Sequence, residues 1–574
     1  LSGPVSAQHG PMLAAQHRPA NVAENLGVST CEAIDPEVDD GSHAESLASP
    51  GTWQLWGLKR RQMWGPIRFM PSFLAWSALL VVVLAGSAAA QDPPPIRLEG
   101  EVPMGEERHF FLPFEVPEGI VEIEVRHDDL SSVNILDWGL DDPNGFRGWG
   151  GGNSEPAIVG VDAASRSYVP GEIPPGTWEV VVGKARVEEL PARYEVEIVL
   201  RTVATLPAQE RSAYADPGVL NEEARWYAGD FHVHSRESGD ATPSIGATLD
   251  VARDAGLDFI MLSEHNTNSG LTLYGGVQPD YPDVLIVPGV EWTSYSGHAN
   301  AIGATEWVDH KVGTRGVTVE DAVQAYLEQG AVFSINHPTV PGGDLCIGCP
   351  WELMVDPASV GGVEAQGGIW IAIDYWEQLL AEGAHAAAIG GSDDHRGGLG
   401  TGPLDSPIGS PTTMVYAERL SVDAILAGIR QGRTVIRVNG AIDPMLETEL
   451  EGERIGDTVF ADSSTLSVTV TGAVEGQTLL VFKNGEVFEE IEITEDPFRH
   501  EMEVLAPGVG EDRYRHQVNT ANTPKTIGSY VWLRSSDGSS GCSCAVLPAA
   551  SYDTAVLLAL LSALAWVSRR RRST

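Results

Sequence analysis

The chain has 574 residues and a formal net charge of −44, with 36 Lys+Arg against 80 Asp+Glu. This length exceeds what one hydrophobic core supports and favours about three or four domains. The acidic balance argues against a long nucleic-acid partner and against binding to anionic lipid headgroups. The 5 cysteines are too few for a disulfide-dense scaffold.

The N-terminal region predicts export. Residues 1–62 have no helical or strand period and are rich in small and polar residues, so we expect them to be disordered or an over-extended gene start. Residues 63–90 have the form of a signal peptide, because basic residues near Met63 precede an apolar run at 73–85 and an A-x-A cleavage site ending at Ala90. The alternative is a transmembrane anchor, but the run is short for a span.

Residues 91–206 show short alternating runs separated by turn formers, with predicted strands at 108–114, 120–126, 178–182 and 194–200. This pattern predicts a small antiparallel β-sandwich. Nothing in it has ligand spacing, so we interpret it as an accessory or binding domain. A linker at 207–224 follows.

Residues 225–440 change to apolar strands that alternate with helices, which predicts a parallel α/β arrangement. The predicted strands after the first are 258–262, 284–290, 331–335, 363–365 and 386–389. Predicted helices are 244–255, 318–329 and 375–382. On the last of these, Glu377 and Glu382 are expected on a solvated face.

Residues 441–538 return to the alternating pattern and predict a second β-sandwich, with a hairpin turn at Asn484-Gly485. At 541–574 a Cys542-Ser543-Cys544 motif precedes an apolar segment and four arginines that end at Arg572. This order resembles the MYXO-CTERM sorting signal of myxobacteria, which implies processing near the cysteines and display at the cell surface. An ordinary C-terminal membrane anchor is the alternative.

Candidate metal ligands cluster in the central region. The strand that contains Asp230, His232 and His234 places these side chains on one face, because side chains alternate along a strand. Further polar side chains follow later predicted strands, at the rim where α/β barrels build active sites. These are Asp240, Glu264, His265, Glu291, His298, His337, Asp393 and His395. Imidazole and carboxylate ligands suit a divalent metal.

In this order, Asp-x-His-x-His, Asp240, Glu-His-Asn, Glu291, Asn-His-Pro and Gly-Ser-Asp-x-His resemble the PHP (polymerase and histidinol phosphatase) domain. The phrases at 256–260, 297–303 and 432–436 resemble the CehA/McbA-type metallohydrolases. The resemblance covers about residues 225–440. It implies a distorted (β/α)7 TIM-like barrel that holds up to three metal ions.

The resemblance also implies three ligand sets. The first comprises His232, His234, Glu291 and Asp393. The second shares Glu291 and adds His298 and His337. The third comprises Asp240, His265 and His395, while Asp230 would accept a hydrogen bond from an imidazole N–H. Glu264 stands where the family commonly has Asp and receives no role.

Catalytic roles are expected for three residues. Asp393 or His395 would relay a proton to the leaving group, and Arg396 would face a substrate oxyanion or form a surface ion pair. Cys346 and Cys349 predict a short loop disulfide first and a metal clip second. A lone C-x-x-C does not make a structural zinc site without two more ligands.

The first hypothesis is an exported hydrolase that uses metal-activated water, a phosphoesterase acting on phosphomonoesters or nucleotides. The alternatives are a carboxyl-ester, amide or carbamate hydrolase, a PHP-type 5'-3' exonuclease on short oligonucleotides, and a non-catalytic surface binding protein. The oxygen and nitrogen ligands suit Zn, Mn or Fe. A small phosphorylated or ester substrate and a membrane contact through the C-terminal segment are the expected partners, and the oligomeric state is left open.

Overall fold

The computed structural model describes residues 91–343, 345–398 and 406–536. The predictions for 1–62, for the signal peptide at 63–90 and for the sorting signal at 541–574 lie outside the described residues and stay predictions. Within the described part, no helix is long and apolar enough to cross a membrane.

Residues 96–201 form two four-stranded antiparallel sheets, ordered β1-β8-β3-β6 and β2-β7-β4-β5. The strands are β1 (Ile96–Glu101), β2 (His109–Val116), β3 (Glu122–Asp128), β4 (Ile135–Asp142), β5 (Gly145–Gly151), β6 (Ala157–Gly160), β7 (Gly176–Arg186) and β8 (Arg193–Arg201). Side chains from both sheets, such as Ile123 and Trp178, share one apolar core. The alternating pattern thus correctly predicted strands here, because each sheet buries one face.

The described residues of the central region, which leave out 344 and 399–405, form eleven strands and five α-helices. The strands are β9 (Arg225–Val233), β10 (Phe259–Leu262), β11 (Leu285–Val287), β12 (Gly289–Ser294), β13 (Gly297–Ile302), β14 (Val332–Ile335), β15 (Gly362–Gly367), β16 (Trp370–Ile371), β17 (Ala387–Gly391), β18 (Thr412–Ala417) and β19 (Thr434–Arg437). The helices are α1 (Ile245–Asp254), α2 (Leu271–Val277), α3 (Val319–Glu328), α4 (Ile373–Ala381) and α5 (Val422–Arg430).

Local sequence explains where three of these helices begin and end. The hydroxyls of Ser244, Thr318 and Ser421 each accept a hydrogen bond from a backbone N–H in the first turn of α1, α3 and α5. Gly256 and Gly330 follow α1 and α3 with φ of 76°, a left-handed conformation that glycine adopts without a steric penalty. These signals explain why the predicted bounds lie close to the observed ones.

The strands of the central region pair in a closed circuit. β9 pairs with β10, and β14, β15 and β17 pair in parallel, while β12, β13 and β14 pair antiparallel. Two isolated parallel bridges, Val233–Asp394 and His265–Glu291, join β9 to the end of β17 and the end of β10 to β12. The circuit therefore runs β9-β10-β12-β13-β14-β15-β17 and brings the strand ends to one rim.

Two details of the predicted parallel arrangement were wrong. The predicted strand 284–290 is divided into β11 and β12 at Pro288, which lacks a backbone N–H for the ladder. His298 was expected in a loop beyond a strand end, yet it lies at the start of β13, which runs antiparallel to β12. Because β13 starts where β12 ends, its first residues still reach the rim.

The C-terminal region contains strands and no helix over the described residues from Met445 to Arg534. Its members are β20 (Met445–Leu450), β21 (Glu453–Arg454), β22 (Thr458–Phe460), β23 (Ser463–Thr471), β24 (Gln477–Lys483), β25 (Glu486–Glu492), β26 (Phe498–Leu505), β27 (Glu511–Thr520), β28 (Thr523–Gly528) and β29 (Val531–Arg534). The Asn484-Gly485 hairpin is confirmed, since Lys483 pairs with Glu486. β28 also pairs with β19, so one sheet continues from the central region into this one.

At the level of a mixed α/β chain, rich in strands and with few helices, the predicted fold class is confirmed. The described residues all belong to one compact unit that spans 86–574. The boundaries expected between the N-terminal, central and C-terminal domains therefore stay predictions.

Candidate metal centre

The structure brings the predicted ligands together at the rim of the circuit. His232 and His234 lie at the end of β9 and are fully buried, while Phe231 and Val233 point into two apolar clusters on the other side. The predicted ligands that meet around them are Asp240, His265, Glu291, His298, His337, Asp393 and His395. Their metal-binding roles stay predictions.

Glu291 stands at the centre of the cluster and is fully buried. Its Oε2 lies 3.2 Å from His232 Nε2, 3.5 Å from His234 Nε2 and 2.8 Å from His265 Nδ1. Its Oε1 lies 3.4 Å from His298 Nδ1 and 3.5 Å from His337 Nε2. The two carboxylate oxygens thus face two different groups of imidazoles.

Asp393 completes the first set. Its Oδ1 is 3.1 Å from His232 Nε2 and 3.2 Å from His234 Nε2. Asp393 has φ of 57° and His337 has φ of 25°, both in the left-handed region that side chains other than glycine rarely adopt. Such backbone strain is typical of functional sites, because the surrounding structure must maintain it.

The third set lies nearer to solvent. His265 Nε2 is 3.2 Å and His395 Nε2 is 3.5 Å from Asp240 Oδ2, and the two Nε2 atoms are 3.4 Å apart. The Asp240 side chain is 55% exposed. This set can therefore exchange with solvent more easily than the buried first set.

Neighbouring oxygens fix which imidazole nitrogen carries the proton. His232 Nδ1 donates to Glu364 Oε1 at 3.0 Å, His395 Nδ1 donates to the Asp393 carbonyl at 2.8 Å, and His298 Nε2 donates to the Ile347 carbonyl at 2.8 Å. In each ring the opposite nitrogen is therefore the one that can offer a lone pair to an ion, once any proton on it has left. Glu364 was not among the residues predicted from the sequence, and its Oε2 also accepts from the His337 backbone N–H at 2.7 Å.

Burial and close charges strongly shift the pKa values of the cluster. Burial alone would lower the pKa of His232, but the Asp393 and Glu291 carboxylates outweigh it and raise that pKa well above its usual range. Burial would raise the pKa of Glu291, but His232 and His265 hold it well below its usual range. Burial and the neighbouring His395 lower the pKa of His234 to about 3. A cation that displaced the imidazole protons would therefore meet ionised carboxylates and release protons.

Unpartnered buried atoms show that the cluster fits a metal ion. His232 Nε2, His234 Nε2, His265 Nδ1 and Glu291 Oε2 are buried without a hydrogen-bond partner. Such atoms are costly unless something satisfies them. One ligand atom each from His232, His234, Glu291 and Asp393 lies within 4.8 Å of the others, and the same holds for His234, His265 and His395. The cluster can thus hold divalent metal, and its N/O donors do not select Zn, Mn or Fe.

A cavity of about 650 Å³ opens on the cluster. It is lined by the donor residues and also by the N-terminal sheets, including Asp137 of β4 and Trp149 of β5. None of the described lining residues is Lys or Arg. The N-terminal region was expected to be an accessory domain, and its contribution to this wall was missed because it depends on packing between distant segments.

Several residues singled out from the sequence lie elsewhere. Arg396 is exposed and does not line the cavity, so its role toward a substrate stays a prediction. Asp230 accepts from the backbone N–H groups of His232, Ser392 and Gly409 and from no imidazole among the described residues, so the role expected for it was wrong. Glu364 takes that role instead.

Glu264 and the pair Cys346 and Cys349 lie close to the cluster or its cavity. Glu264 accepts from the Ser235 hydroxyl at 2.6 Å, and burial raises its pKa to about 8, so it is a structural acceptor beside the cluster. Cys346 and Cys349 form the disulfide that the sequence indicated first. That disulfide lies at the cavity, since Cys346 and Ile347 are part of its lining.

Comparisons with known proteins give distant likenesses of fold. No protein-family model and no curated protein matches the chain. Among solved structures, it is similar to a two-domain protein from Bacteroides vulgatus described as containing a predicted PHP-like metal-dependent phosphoesterase, with 18% identity and a TM-score of 0.31 over 57% of this chain and 99% of that one. It is also similar to a putative metal-dependent phosphoesterase from Bifidobacterium adolescentis, with 15% identity and a TM-score of 0.25 over 31% and 91%. Both TM-scores are below 0.5, so these likenesses do not define a function for this chain.

Proposed function

We propose that the chain is a metal-dependent hydrolase of the PHP type, with a distorted (β/α)7 barrel and CehA/McbA-like motifs, that cleaves phosphomonoesters. The observation that carries this proposal is the position of Glu291, whose two oxygens face separate imidazole groups at 2.8–3.5 Å. A carboxylate in this position can bridge two ions, the arrangement used by hydrolases with paired metals.

The distances within the cluster support the three ligand sets that the family resemblance implies. His232, His234, Glu291 and Asp393 would hold the first, and Glu291, His298 and His337 the second. Asp240, His265 and His395 would hold a third. When bound, such ions supply Lewis acidity toward a phosphoryl or carbonyl oxygen and lower the pKa of a water ligand.

The chain's own residues supply orientation and a proton. The backbone carbonyl of Asp393 accepts a 2.8 Å hydrogen bond from His395 Nδ1 and so fixes the orientation of this ring. His395 Nε2 is then directed toward Asp240. Burial would lower the pKa of His395, but Asp240 raises it to about 9. With the third set empty, His395 would be protonated near neutral pH and would donate its Nε2 proton to the leaving oxygen.

The charged residues that line the cavity favour binding of a small substrate that itself carries few charges. Its described lining offers carboxyl groups at Asp137, Asp240, Glu291 and Asp393 and no Lys or Arg. A second or third phosphate would find no cationic side chain in this wall. We therefore propose phosphomonoesters of uncharged alcohols before nucleotides, and oligonucleotide hydrolysis is disfavoured on the same ground and by the net charge of −44.

The same lining favours a second candidate, hydrolysis of carboxyl esters, amides or carbamates. Such substrates are uncharged, so their binding is not weakened by the lack of Lys and Arg among the described lining residues. The wall also contains aromatic side chains, Trp149 and Tyr295, which suit an apolar acyl or alcohol group.

The test combines metal analysis with a substrate panel. The purified chain is assayed for bound metal by elemental analysis and for turnover of p-nitrophenyl phosphate, bis-p-nitrophenyl phosphate and p-nitrophenyl acetate. The first candidate is supported if phosphate monoester turnover is lost in Glu291→Gln and retained in His385→Gln. His385 serves as the control because it lies outside the site, stacked on Trp532 at 4.0 Å. Acetate turnover alone supports the second, and a chain that binds no metal would support the binding-protein alternative.

We also propose that the protein is exported to the cell envelope or outer surface. The support is the order of charged, apolar and alanine residues at 59–90 and of cysteines, apolar residues and arginines at 541–574. Cells that express the full chain are fractionated beside cells that express a variant lacking 63–90. The full chain should be found outside the cytoplasm, and the variant should remain inside it. Equal cytoplasmic retention of both would contradict export.

A further inference from the structure

The disulfide segment lies directly against two histidines of the cluster. Cys349 Sγ is 3.5 Å from His337 Nδ1, and the Ile347 carbonyl accepts from His298 Nε2 at 2.8 Å. Gly348 has φ of 96°, and a Cβ at this position would lie 2.9 Å from His298 Nε2. The segment thus approaches the outer edges of both imidazole rings, the edges that face away from Glu291.

We propose that the dithiol form of this segment, together with His298 and His337, is a Cys2His2 site for a soft divalent ion of the zinc class. One ligand atom from each of these four residues lies within 4.8 Å of the others. Tetrahedral coordination with Zn–S of about 2.3 Å and Zn–N of about 2.0 Å places ligand atoms about 3.3–3.8 Å apart. The 3.5 Å between Cys349 Sγ and His337 Nδ1 already matches one edge.

The C-x-x-C spacing needs two more ligands to make a zinc site, and the fold supplies them from β13 and from the segment after β14. His298 is the second residue of β13, and His337 follows β14. Both rings are at least nine-tenths buried. A site made of two thiolates and two imidazoles favours zinc over harder ions such as Mg²⁺.

His298 and His337 would each bind an ion in either the Cys2His2 site or the second ligand set of Glu291, but not in both at once. His337 Nε2 and His298 Nδ1 face Glu291 Oε1 at 3.5 and 3.4 Å, whereas His337 Nδ1 and His298 Nε2 face the cysteine segment. A neutral imidazole has one nitrogen lone pair available and one N–H. Occupation of the Cys2His2 site therefore withdraws His298 and His337 from the second ligand set of Glu291, a consequence that rests on the proposed function.

Oxidation of the two thiols to the disulfide would make the imidazole rings of His298 and His337 available again to the second ligand set. A low-molecular-weight disulfide, such as oxidised glutathione, accepts two electrons by thiol–disulfide exchange. Its S–S bond breaks, the bond between Cys346 and Cys349 forms, and the acceptor leaves as two thiols that take up two protons. The ion held by the thiolates is released, and the Ile347 carbonyl again accepts the His298 Nε2–H.

The experiment uses Co²⁺ as the probe, in the full chain with Cys31, Cys542 and Cys544 replaced by serine. The protein is reduced, stripped of metal and titrated with Co²⁺ while the near-ultraviolet thiolate-to-cobalt absorption is recorded. We expect an absorption that corresponds to one thiolate-bound Co²⁺ per chain, its loss on addition of oxidised glutathione, and its absence in Cys346→Ser/Cys349→Ser. No thiolate absorption in the reduced chain would overturn the proposal.

Two variants separate this proposal from the proposed function. Glu291→Gln removes the carboxylate of the catalytic centre and should leave the thiolate-to-cobalt absorption intact, whether or not the chain hydrolyses any ester. His337→Gln should weaken Co²⁺ binding by at least tenfold and change the visible cobalt spectrum. An unchanged affinity and spectrum in His337→Gln would show that the cysteines bind the ion without the histidines and would overturn the Cys2His2 site.

Discussion

The hydroxyl group of Tyr295 donates a 2.6 Å hydrogen bond to Oδ2 of Asp137, and this bond joins β4 to the turn between β12 and β13. Because β12 carries Glu291 and β13 carries His298, the contact couples the N-terminal sheets to the strands that hold the donor cluster. A second contact, the paired 2.9 Å hydrogen bonds from Arg315 to Glu179, lies at the same junction. The N-terminal sheets therefore form part of the wall of the candidate active site.

Replacing Tyr295 by phenylalanine should destabilise the chain, because it leaves the half-buried carboxylate of Asp137 without this donor. We expect the free energy of unfolding, measured in urea, to fall by about 1–3 kcal/mol. The variant Tyr295→Phe/Asp137→Ala should lose less than the sum of the single changes, since each removes the same interaction. Strictly additive losses would contradict a direct coupling across the junction.

Glu364 should control metal affinity through His232. Its Oε1 accepts the His232 Nδ1–H at 3.0 Å and its Oε2 accepts the His337 backbone N–H at 2.7 Å. Loss of such an outer carboxylate typically weakens metal binding by about 10–100-fold. We therefore expect Glu364→Gln to lower affinity by about that factor in titration calorimetry. Glu382→Gln, which changes an exposed carboxylate after α4, is the matched control and should not alter it.

That the candidate ligands lie together could be predicted from local sequence signals, whereas Glu364 could not be found from such signals. Strand alternation placed His232 and His234 on one face, and strand ends located Glu291, His337 and Asp393, because both signals depend on residues close in sequence. Glu364 lies inside β15, a strand buried along its whole length. A carboxylate in a fully buried strand is itself a signal, but its partner lies 132 residues away in sequence.

A similar limit applies to Glu377 on α4. The helical pattern predicted a solvated position, and that prediction was wrong: Glu377 Oε1 accepts from Arg515 Nε at 2.9 Å and from the Tyr530 hydroxyl at 2.6 Å. Arg515 is fully buried. The pattern could not show this, because the partners belong to β27 and to the segment before β29, which pack on the helix only in the folded chain.

Removing the Glu377 carboxylate should therefore be costly, since it leaves a buried guanidinium without its charged partner. We expect Glu377→Ala to lower the free energy of unfolding by about 3–5 kcal/mol. Glu382→Ala on the exposed end of the same helix should change it by less than about 0.5 kcal/mol. Chemical denaturation of both variants measures the difference, and equal effects would show that the Arg515 contact contributes little.

His516 should make stability depend on pH. The residue lies on β27, is fully buried, and its Nδ1 is 2.8 Å from the Thr448 hydroxyl oxygen. Burial, followed by the charges of His500 and Arg515, lowers its pKa from 6.5 to about 3. Between these two values the unfolded chain binds a proton that the folded chain does not. Stability is therefore fully present above pH 6.5 and is lost progressively as the pH falls toward 3.

The size of this effect can be measured in chelator, which removes the separate pH dependence of metal binding. One such histidine adds at most about 1.4 kcal/mol per pH unit to the slope of unfolding free energy against pH. We expect His516→Gln to flatten the slope between pH 6 and pH 4, at about that scale per unit, whatever its effect on absolute stability. Above pH 7 the two proteins should show the same slope, because the imidazole is neutral in both folded and unfolded chains. An unchanged slope in the acid range would show that His516 is protonated equally in both states and that its burial does not limit acid stability.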